Sequence, residues 1–409
     1  MPSPLQQLQL WLDELGQISD EPGRLTRTFL SPAMTRAVEQ TASYMQSAGL
    51  TTRVDTVGNL IGHCASSAPK AKTLLLGSHL DTVRHAGKYD GPLGVLLPIA
   101  VMAELQRRGV ELPFHVEVVG FSEEEGVRFA SGYLGSRGFT GQLRRRDLEL
   151  RDGANLTVRQ VLEAHNGGVF RRPKAAHRRR DLLGYVEVHI EQGPVLEAKG
   201  LAVGVVSAIA GQSRFKLTWR GKAGHAGTTP MALRRDAFAG VAEFAVAVEA
   251  LARGTRGLVA TIGSVQVAPG ASNVIPSEVL HTLDVRHADD HTRLLALQEL
   301  ERITKRLARA RDLTCDWQAT QNDGAVACSP ELTKQLERSV RAVQGRSLTL
   351  VSGAGHDAVV MSRHTPVAML FVRCRDGLSH HPDEFASPQD IGVALQVMLD
   401  FLQKLAVRD

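Results

Sequence analysis

An α/β fold is what this 409-residue sequence predicts: a three-layer α/β/α domain interrupted by a smaller α+β domain of ferredoxin-like order. Three observations predict it. Apolar runs alternate with helical stretches up to about residue 210 and again from about 326. The segment between, about 211–325, reads β-α-β-β-α-β instead. Histidines and acidic residues fall just past the apolar runs, where open α/β sheets place their ligands.

The elements follow in order. A helix over about 4–15 precedes a second that Ser31 can cap and Gly49 can stop. A β-like stretch over about 52–61 and an apolar strand over about 73–77 come next. A helix spans about 92–108, with Pro98 as a kink or late start. Strands at about 114–121 and 185–189 complete this half. In the middle segment, strands are expected near 214–219, 258–267, 279–285 and 313–317. Helices are expected there with Pro230 near the first turn of one and over about 290–310 for the other. Beyond it, Ser329-Pro330 and Ser387-Pro388 each read as an N-cap followed by a first-turn proline. Residues 1–210 with 326–409 therefore form one domain, and 211–325 the insertion.

Hydrophobic residues make up 43% and charged residues 22%, the balance of an ordinary soluble globular protein. The net charge of +5 lies largely in two arginine-rich runs, 144–146 and 171–180. Without interleaved aromatics these read as solvated loops, so nucleic-acid binding is not expected. The four cysteines form no CxxC pair, which argues against a disulfide framework or a thiolate metal site. The first residues lack signal-peptide character, and no apolar run is long enough for a bilayer span. A cytoplasmic protein without a membrane partner is the expectation.

The chemistry-bearing residues are scattered. His79 and Asp81 follow the strand at 73–77. His79 is a plausible ligand, and Asp81 can accept its other N–H and fix the tautomer. The bland reading is a strand-end histidine and a turn aspartate. Asp90 precedes a helix and reads either as its N-cap or as a carboxylate shared by two cations. Glu123, Glu124 and Glu125 follow an apolar strand; three adjacent carboxylates repel unless a cation compensates them. One of them can ligate while a neighbour stays available as a base. His189 ends a strand, with Gln192 just beyond, and His380 and His381 lie in a late polar stretch. Among fifteen histidines, several must be packing or surface residues. Together, three histidines and three carboxylates make the donor set of a two-cation hydrolase, which makes hydroxide from water near neutral pH. Imidazole and carboxylate donors suit Mn²⁺, Zn²⁺, Co²⁺ or Ni²⁺ alike.

Nine motifs occur in order: GSHLDT (77–82), YDGPLGV (89–95), SEEEGVRF (122–129), HIEQGP (189–194), GKAGHAGTTPM (221–231), SNVIP (272–276), DVR (284–286), GAGHDA (353–358) and GLSH (377–380). In them, over about residues 20–405, the chain resembles the hydantoinase/carbamoylase branch of the dinuclear metallo-aminoacylase and carboxypeptidase superfamily. That resemblance implies a metallohydrolase catalytic domain with a lid/dimerisation insertion, two divalent ions per subunit, Mn²⁺ or Zn²⁺ first, and a homodimer. It implies His79, Asp90, Glu125, His189 and His380 as metal ligands, with Asp90 bridging. Glu124 is then the general base, Asp81 orients His79, and His225 polarises the scissile carbonyl from a neighbouring subunit. Gln192, Asn273, Arg286, Gly353 and Ala354 bind substrate, Arg286 through a carboxylate. His381 stands where an asparagine is expected, a competing imidazole beside His380.

The implied reaction is hydrolysis of a ureido (carbamoyl) C–N bond in a small carboxylate substrate. The stretch DTVRHAGKYD (81–90) resembles allantoate amidohydrolases more than carbamoylases, which favours allantoate, yielding ureidoglycine, ammonia and carbon dioxide. An N-carbamoyl-L-amino acid or β-ureidopropionate-type substrate is the alternative, ahead of an acylamino acid or a dipeptide. A catalytically dead binding protein is a different class, and it would be expected to lack the base or a ligand. A basic nucleic-acid binder is a third, with only the arginine runs behind it.

Overall fold

The computed structural model describes residues 2–407. The chain divides into two compact units: residues to Ser207 with those from Cys328, and Ala208–Ala327.

The larger unit begins with α1 (Pro4–Gly16), α2 (Pro32–Ser47), β1 (Thr51–Val54), β2 (Leu60–Cys64) and β3 (Thr73–His79). It continues with α3 (Pro92–Arg107), β4 (His115–Phe121), α4 (Leu134–Phe139), α5 (Val158–His165), β5 (Leu182–Ile190), α6 (Val195–Lys199) and β6 (Val203–Ile209). The smaller unit holds β7 (Gly211–Arg220), α7 (Ala237–Gly254), β8 (Val259–Thr261), β9 (Val265–Ala268), β10 (Glu278–His287), α8 (Asp290–Ala310), β11 (Thr314–Asp323) and β12 (Val326–Ala327). The larger unit resumes with α9 (Pro330–Gln344), β13 (Thr349–Ser352), α10 (Ala358–Met361), β14 (Val367–Val372) and α11 (Pro388–Ala406).

In the larger unit the strand order is β1-β2-β4-β3-β5-β14-β6, with β13 also on β6. The four central strands, β4, β3, β5 and β14, run parallel. Their side chains alternate between two environments, as a pleated strand requires. Leu74, Leu76, Val116, Val118, Val186, Val188, Leu370 and Val372 enter one apolar core with α1, α3, α9 and α11. The intervening positions carry Glu117, Glu187, His79 and His189, all buried. One face of the sheet is thus a large apolar core, and the other bears the polar chemistry beneath α4 and α10.

The helix starts follow their caps. Ser31 and Ser387 accept backbone N–H groups from Met34 and Asp390. Ser329 precedes α9 without a side-chain cap bond. Pro98 lies inside α3, which starts at Pro92. The stretch expected as one β element over 52–61 is two antiparallel strands, β1 and β2.

The smaller unit is an antiparallel sheet, β11-β7-β10-β8, with β9 also beside β10. Its own core centres on Trp219, Phe244, Leu217, Val279 and Leu300. The run expected as one strand over 258–267 splits into β8 and β9 around Gly263 and Ser264, where Thr282 donates its N–H to the Ser264 carbonyl at 3.1 Å. Pro230 precedes only a 3-10 turn, Met231–Leu233; α7 starts at Ala237, where the Asp236 carboxylate accepts from Phe238 and Ala239.

No helix among the described residues is long and apolar enough to cross a membrane.

Candidate metal centre

The four parallel strands deliver their side chains to one end of the sheet. His79 is the last residue of β3, Glu123–Glu125 follow β4, His189 lies one residue before the end of β5, and His380 lies in the loop after β14. This is the carboxyl edge, where open α/β sheets bind ligands. Asp90 arrives from the loop between β3 and α3.

Asp90 is the hub. Its Oδ1 lies 3.1 Å from His189 Nε2 and 3.7 Å from His79 Nε2, and its Oδ2 lies 3.2 Å from His380 Nε2. His380 Nε2 is also 3.7 Å from Glu125 Oε2. Two donor groups therefore share this carboxylate: His79, Asp90 and His189, and Asp90, Glu125 and His380. His79 also groups with Glu124 and Glu125. Asp90 does not cap α3. Gly91 occupies the N-cap position at φ 85°, without a side-chain cap bond, which leaves the carboxylate to the imidazoles. A Cβ at Gly91 would lie 2.4 Å from the His79 ring, so this turn admits only glycine.

His79, His189, Asp81 and Asp90 are buried, whereas the His380 side chain is 52% exposed, so the cluster opens to solvent on that side. Gln192 and His380 both hold left-handed backbone, φ 55° and 56°, an unfavourable choice for non-glycine residues and one found at functional sites. Gln192 Nε2 donates to Asp90 Oδ2 and to Ser379 Oγ, each at 3.0 Å.

Asp81 does more than face an imidazole. Its backbone carbonyl lies 3.0 Å from His79 Nδ1, closer than its carboxylate at 3.4 Å. The carboxylate accepts the backbone N–H groups of Glu124 at 3.0 Å and Glu125 at 3.2 Å. One aspartate therefore orients the His79 ring and fixes the peptide that carries Glu124 and Glu125.

The electrostatics call for cations. Burial pushes Glu124 well above the usual carboxylate range, and the charges of Glu125, Asp357 and Asp81 add to this against His79. Burial and the charge of Asp90 push Glu125 up to about 7. Glu123, Glu187 and Asp357 are raised in the same way, burial first. Both carboxylate oxygens of Asp357 are buried. For Asp90, burial is outweighed by the hydrogen bonds of His189 and His380, which hold it well below the usual range. The hydrogen bond to Asp90 lifts His380 to about 9. Five buried acids raised together mark a site short of positive charge, and the imidazole–carboxylate donors fit divalent ions.

Several residues at the site escaped the sequence reading. Glu384 Oε1 accepts the N–H groups of Tyr89 at 3.0 Å and Asp90 at 3.1 Å, and Ser379 Oγ lies 2.9 Å from both Glu384 Oε2 and Asp90 Oδ2. His356 packs on His189 with ring centroids 4.5 Å apart and reaches Ser352 Oγ at 2.8 Å. With Glu187 and His189 it forms a further buried donor group. The signal for Glu384 was its place four residues past His380 in an already suspicious stretch. Nothing local marks Glu187.

Among the described residues, the other expected site residues join none of these donor groups. Gly353 and Ala354 sit in the turn before His356, where Ser352 Oγ accepts the Ala354 N–H at 3.2 Å. His381 pairs with Asp383 at 3.6 Å and joins none of the donor groups. His225, Asn273 and Arg286 belong to the smaller unit. Ala226 N–H donates to the Asn273 carbonyl at 2.9 Å, which places the His225 and Asn273 segments side by side, both residues exposed. Arg286 sets Nε and Nη2 on Asp284 at 2.9 and 2.8 Å.

Shared carboxylate, converging imidazoles and a parallel-sheet edge give an α/β protein with candidate metal-binding groups. Residues 75–404 match Peptidase family M20/M25/M40, and the chain belongs to that family. It is similar to allantoate deiminase 2 of Glycine max, 39% identical over 97% of this chain and 88% of the relative. It is also similar to the N-carbamoyl-L-amino acid amidohydrolase of Geobacillus stearothermophilus, 38% identical over 97% and 98%. Among solved structures, an amidase of the hydantoinase/carbamoylase family from Burkholderia multivorans superposes with a TM-score of 0.93 at 32% identity, covering 99% of this chain and 98% of that one.

Proposed function

We propose that this chain is a metal-dependent amidohydrolase that cleaves the ureido C–N bond of a small carboxylate substrate, with allantoate as its preferred substrate. The observation that carries this reading is the pair of donor groups sharing Asp90 at the mouth of a buried acid cluster. Similarity to allantoate and N-carbamoyl amino acid hydrolases supports the substrate class. In this reading His79, Asp90 and His189 hold one divalent ion, and Asp90, Glu125 and His380 a second, with Mn²⁺ or Zn²⁺ preferred. Bound there, such ions lower the pKa of water towards about 7 and polarise a carbonyl.

The chain's own groups do the rest. Glu124, raised by burial and its acidic neighbours, takes a proton from water and returns it to the leaving nitrogen as the C–N bond breaks. Water supplies the hydroxyl, so this cleavage frees one nitrogen and leaves a carbamic acid; its remaining C–N bond breaks as carbon dioxide departs, and the sum is ureidoglycine, ammonia and carbon dioxide. Gln192, on its left-handed turn, presents a carboxamide to the substrate, and the Gly353–Ala354 turn, braced by Ser352 Oγ, lines it. Arg286 and Asn273 grip the substrate carboxylate; Asp284 already occupies two arms of Arg286, so the substrate shares or displaces that pair. His225 stabilises the oxyanion from the second subunit of a homodimer assembled through the smaller unit, which also serves as the lid.

Metal-reconstituted enzyme assayed on allantoate, N-carbamoyl-L-amino acids, N-acetyl amino acids and dipeptides tests this. The highest kcat/KM should fall on allantoate. A maximum on N-carbamoyl-L-amino acids selects the alternative, and turnover of only acetyl or peptide substrates rejects the ureido reading.

A further inference from the structure

Arg27 lies in the loop between α1 and α2 and is fully buried, with 0% exposure. A guanidinium in such a place is costly unless hydrogen bonds and charges offset its desolvation. Burial pulls its pKa down to about 10, against the opposing charges of Asp81 and Asp20, so it remains a cation at neutral pH. Its bonds are specific. Nε donates to the Leu80 carbonyl at 2.6 Å, and Nη1 to the carbonyls of Leu15 at 3.1 Å and Ile18 at 3.0 Å. Nη2 is buried without a hydrogen-bond partner among the described residues. The Arg27 backbone adds two bonds, its N–H to Thr82 Oγ1 and its carbonyl from the Thr82 N–H, both 2.9 Å.

These contacts bracket one residue. Leu80 and Thr82 flank Asp81, and the Leu80 N–H is itself held by the Phe121 carbonyl at 2.8 Å. Asp81 sets the His79 ring with its carbonyl and the Glu124–Glu125 peptide with its carboxylate. A displacement at Leu80 or Thr82 therefore reaches a ligand imidazole, a ligand carboxylate and the candidate base together.

We propose that Arg27 is a positioning residue of the metal centre: it clamps residues 80–82 from behind and, through Asp81, aims His79, Glu124 and Glu125. This role rests on the reading that those side chains hold metal. It also sets Arg27 apart from a filler of the core, since a buried charge that only filled space could give way to an apolar side chain at little cost.

The test compares Arg27→Lys and Arg27→Ala with the intact chain. Mn²⁺ affinity is measured by titration calorimetry, metal-free Tm by circular dichroism, and kcat and KM by ammonia release. Lysine keeps a charge but not the fork that joins Leu80 to the end of α1. Arg27→Lys should bind Mn²⁺ about 10–100-fold more weakly, the usual effect of losing an outer partner of a ligand, with kcat falling alongside and KM near that of the intact chain. In Arg27→Ala, millimolar guanidinium should restore Mn²⁺ affinity where sodium chloride at equal ionic strength does not. Arg27→Lys that binds Mn²⁺ and turns over like the intact chain overturns the role, as does a weakened affinity explained wholly by a matching fall in metal-free Tm. If Arg27→Ala does not fold, Arg27→Lys decides alone. An intact chain that binds Mn²⁺ yet hydrolyses no ureido substrate sinks the proposed function, while the affinity comparison still decides Arg27.

Discussion

The two units brace their chemistry-bearing residues differently. In the larger one the contacts join distant stretches of chain: Asp90 is held by Glu384 across 294 positions and by Gln192 across 102. In the smaller one the His225 segment also pairs with that of Asn273, but Arg286 and His225 have side-chain partners close by in the chain. Arg286 lies on Asp284, two residues away, and His225 Nδ1 accepts from Gly227, also two residues along. The first set is largely buried and closes around one shared carboxylate; the second is exposed or half-buried. A site that must hold like charges together needs the whole fold to keep it in place. The residues of the smaller unit proposed to meet the substrate have bracing from near neighbours instead.

Substitutions put this contrast to the test. The largest effect is expected for Glu124→Gln, which should bind both metals yet lose on the order of 10²–10⁴ in kcat, the usual span for a general base. Metal analysis finding a depleted site would make Glu124 a ligand instead. Asp81→Asn places an amide donor against the Glu124 or Glu125 N–H and should weaken metal affinity or turnover about 10–100-fold; calorimetry with intact-chain values would reduce Asp81 to a turn residue. Mixing His225→Ala subunits with Glu124→Gln subunits should regain part of the lost activity, because a hybrid dimer contains one site with both groups intact. A mixture as inactive as its parents removes His225 from a shared site. The smallest effect is expected for Arg286→Lys: KM for carboxylate substrates should rise about tenfold, as loss of one charged hydrogen bond implies, while metal content stays unchanged. An equal rise for a neutral amide would show that Arg286 only stabilises its own strand.

What was legible in the sequence follows the same division. The alternation of strands and helices is written in local periodicity, and so are most helix starts, because a cap and its helix are neighbours in the chain. Asp90 shows where this stops. In sequence it reads first as an N-cap and second as a shared ligand; the left-handed Gly91 takes the cap position, and imidazoles from β3, β5 and the loop after β14 claim the carboxylate. Glu187 reads as one more residue in an apolar strand, and only strand pleating places it on the face of His189. Glu384 and Arg27 act through backbone groups of remote residues, and no local pattern records that. The broken strand at Gly263 and the delayed helix after Pro230 were missed for a smaller reason: turn chemistry overrode an apolar run.

On the proposed reading, two divalent cations share the Asp90 carboxylate. A crystal of the intact chain grown with excess Mn²⁺, with data collected at the manganese absorption edge, decides whether they do. Two anomalous peaks per subunit are expected, one among His79, Asp90 and His189 and the other among Asp90, Glu125 and His380. No peak there, or a single ion held without Asp90, would contradict it.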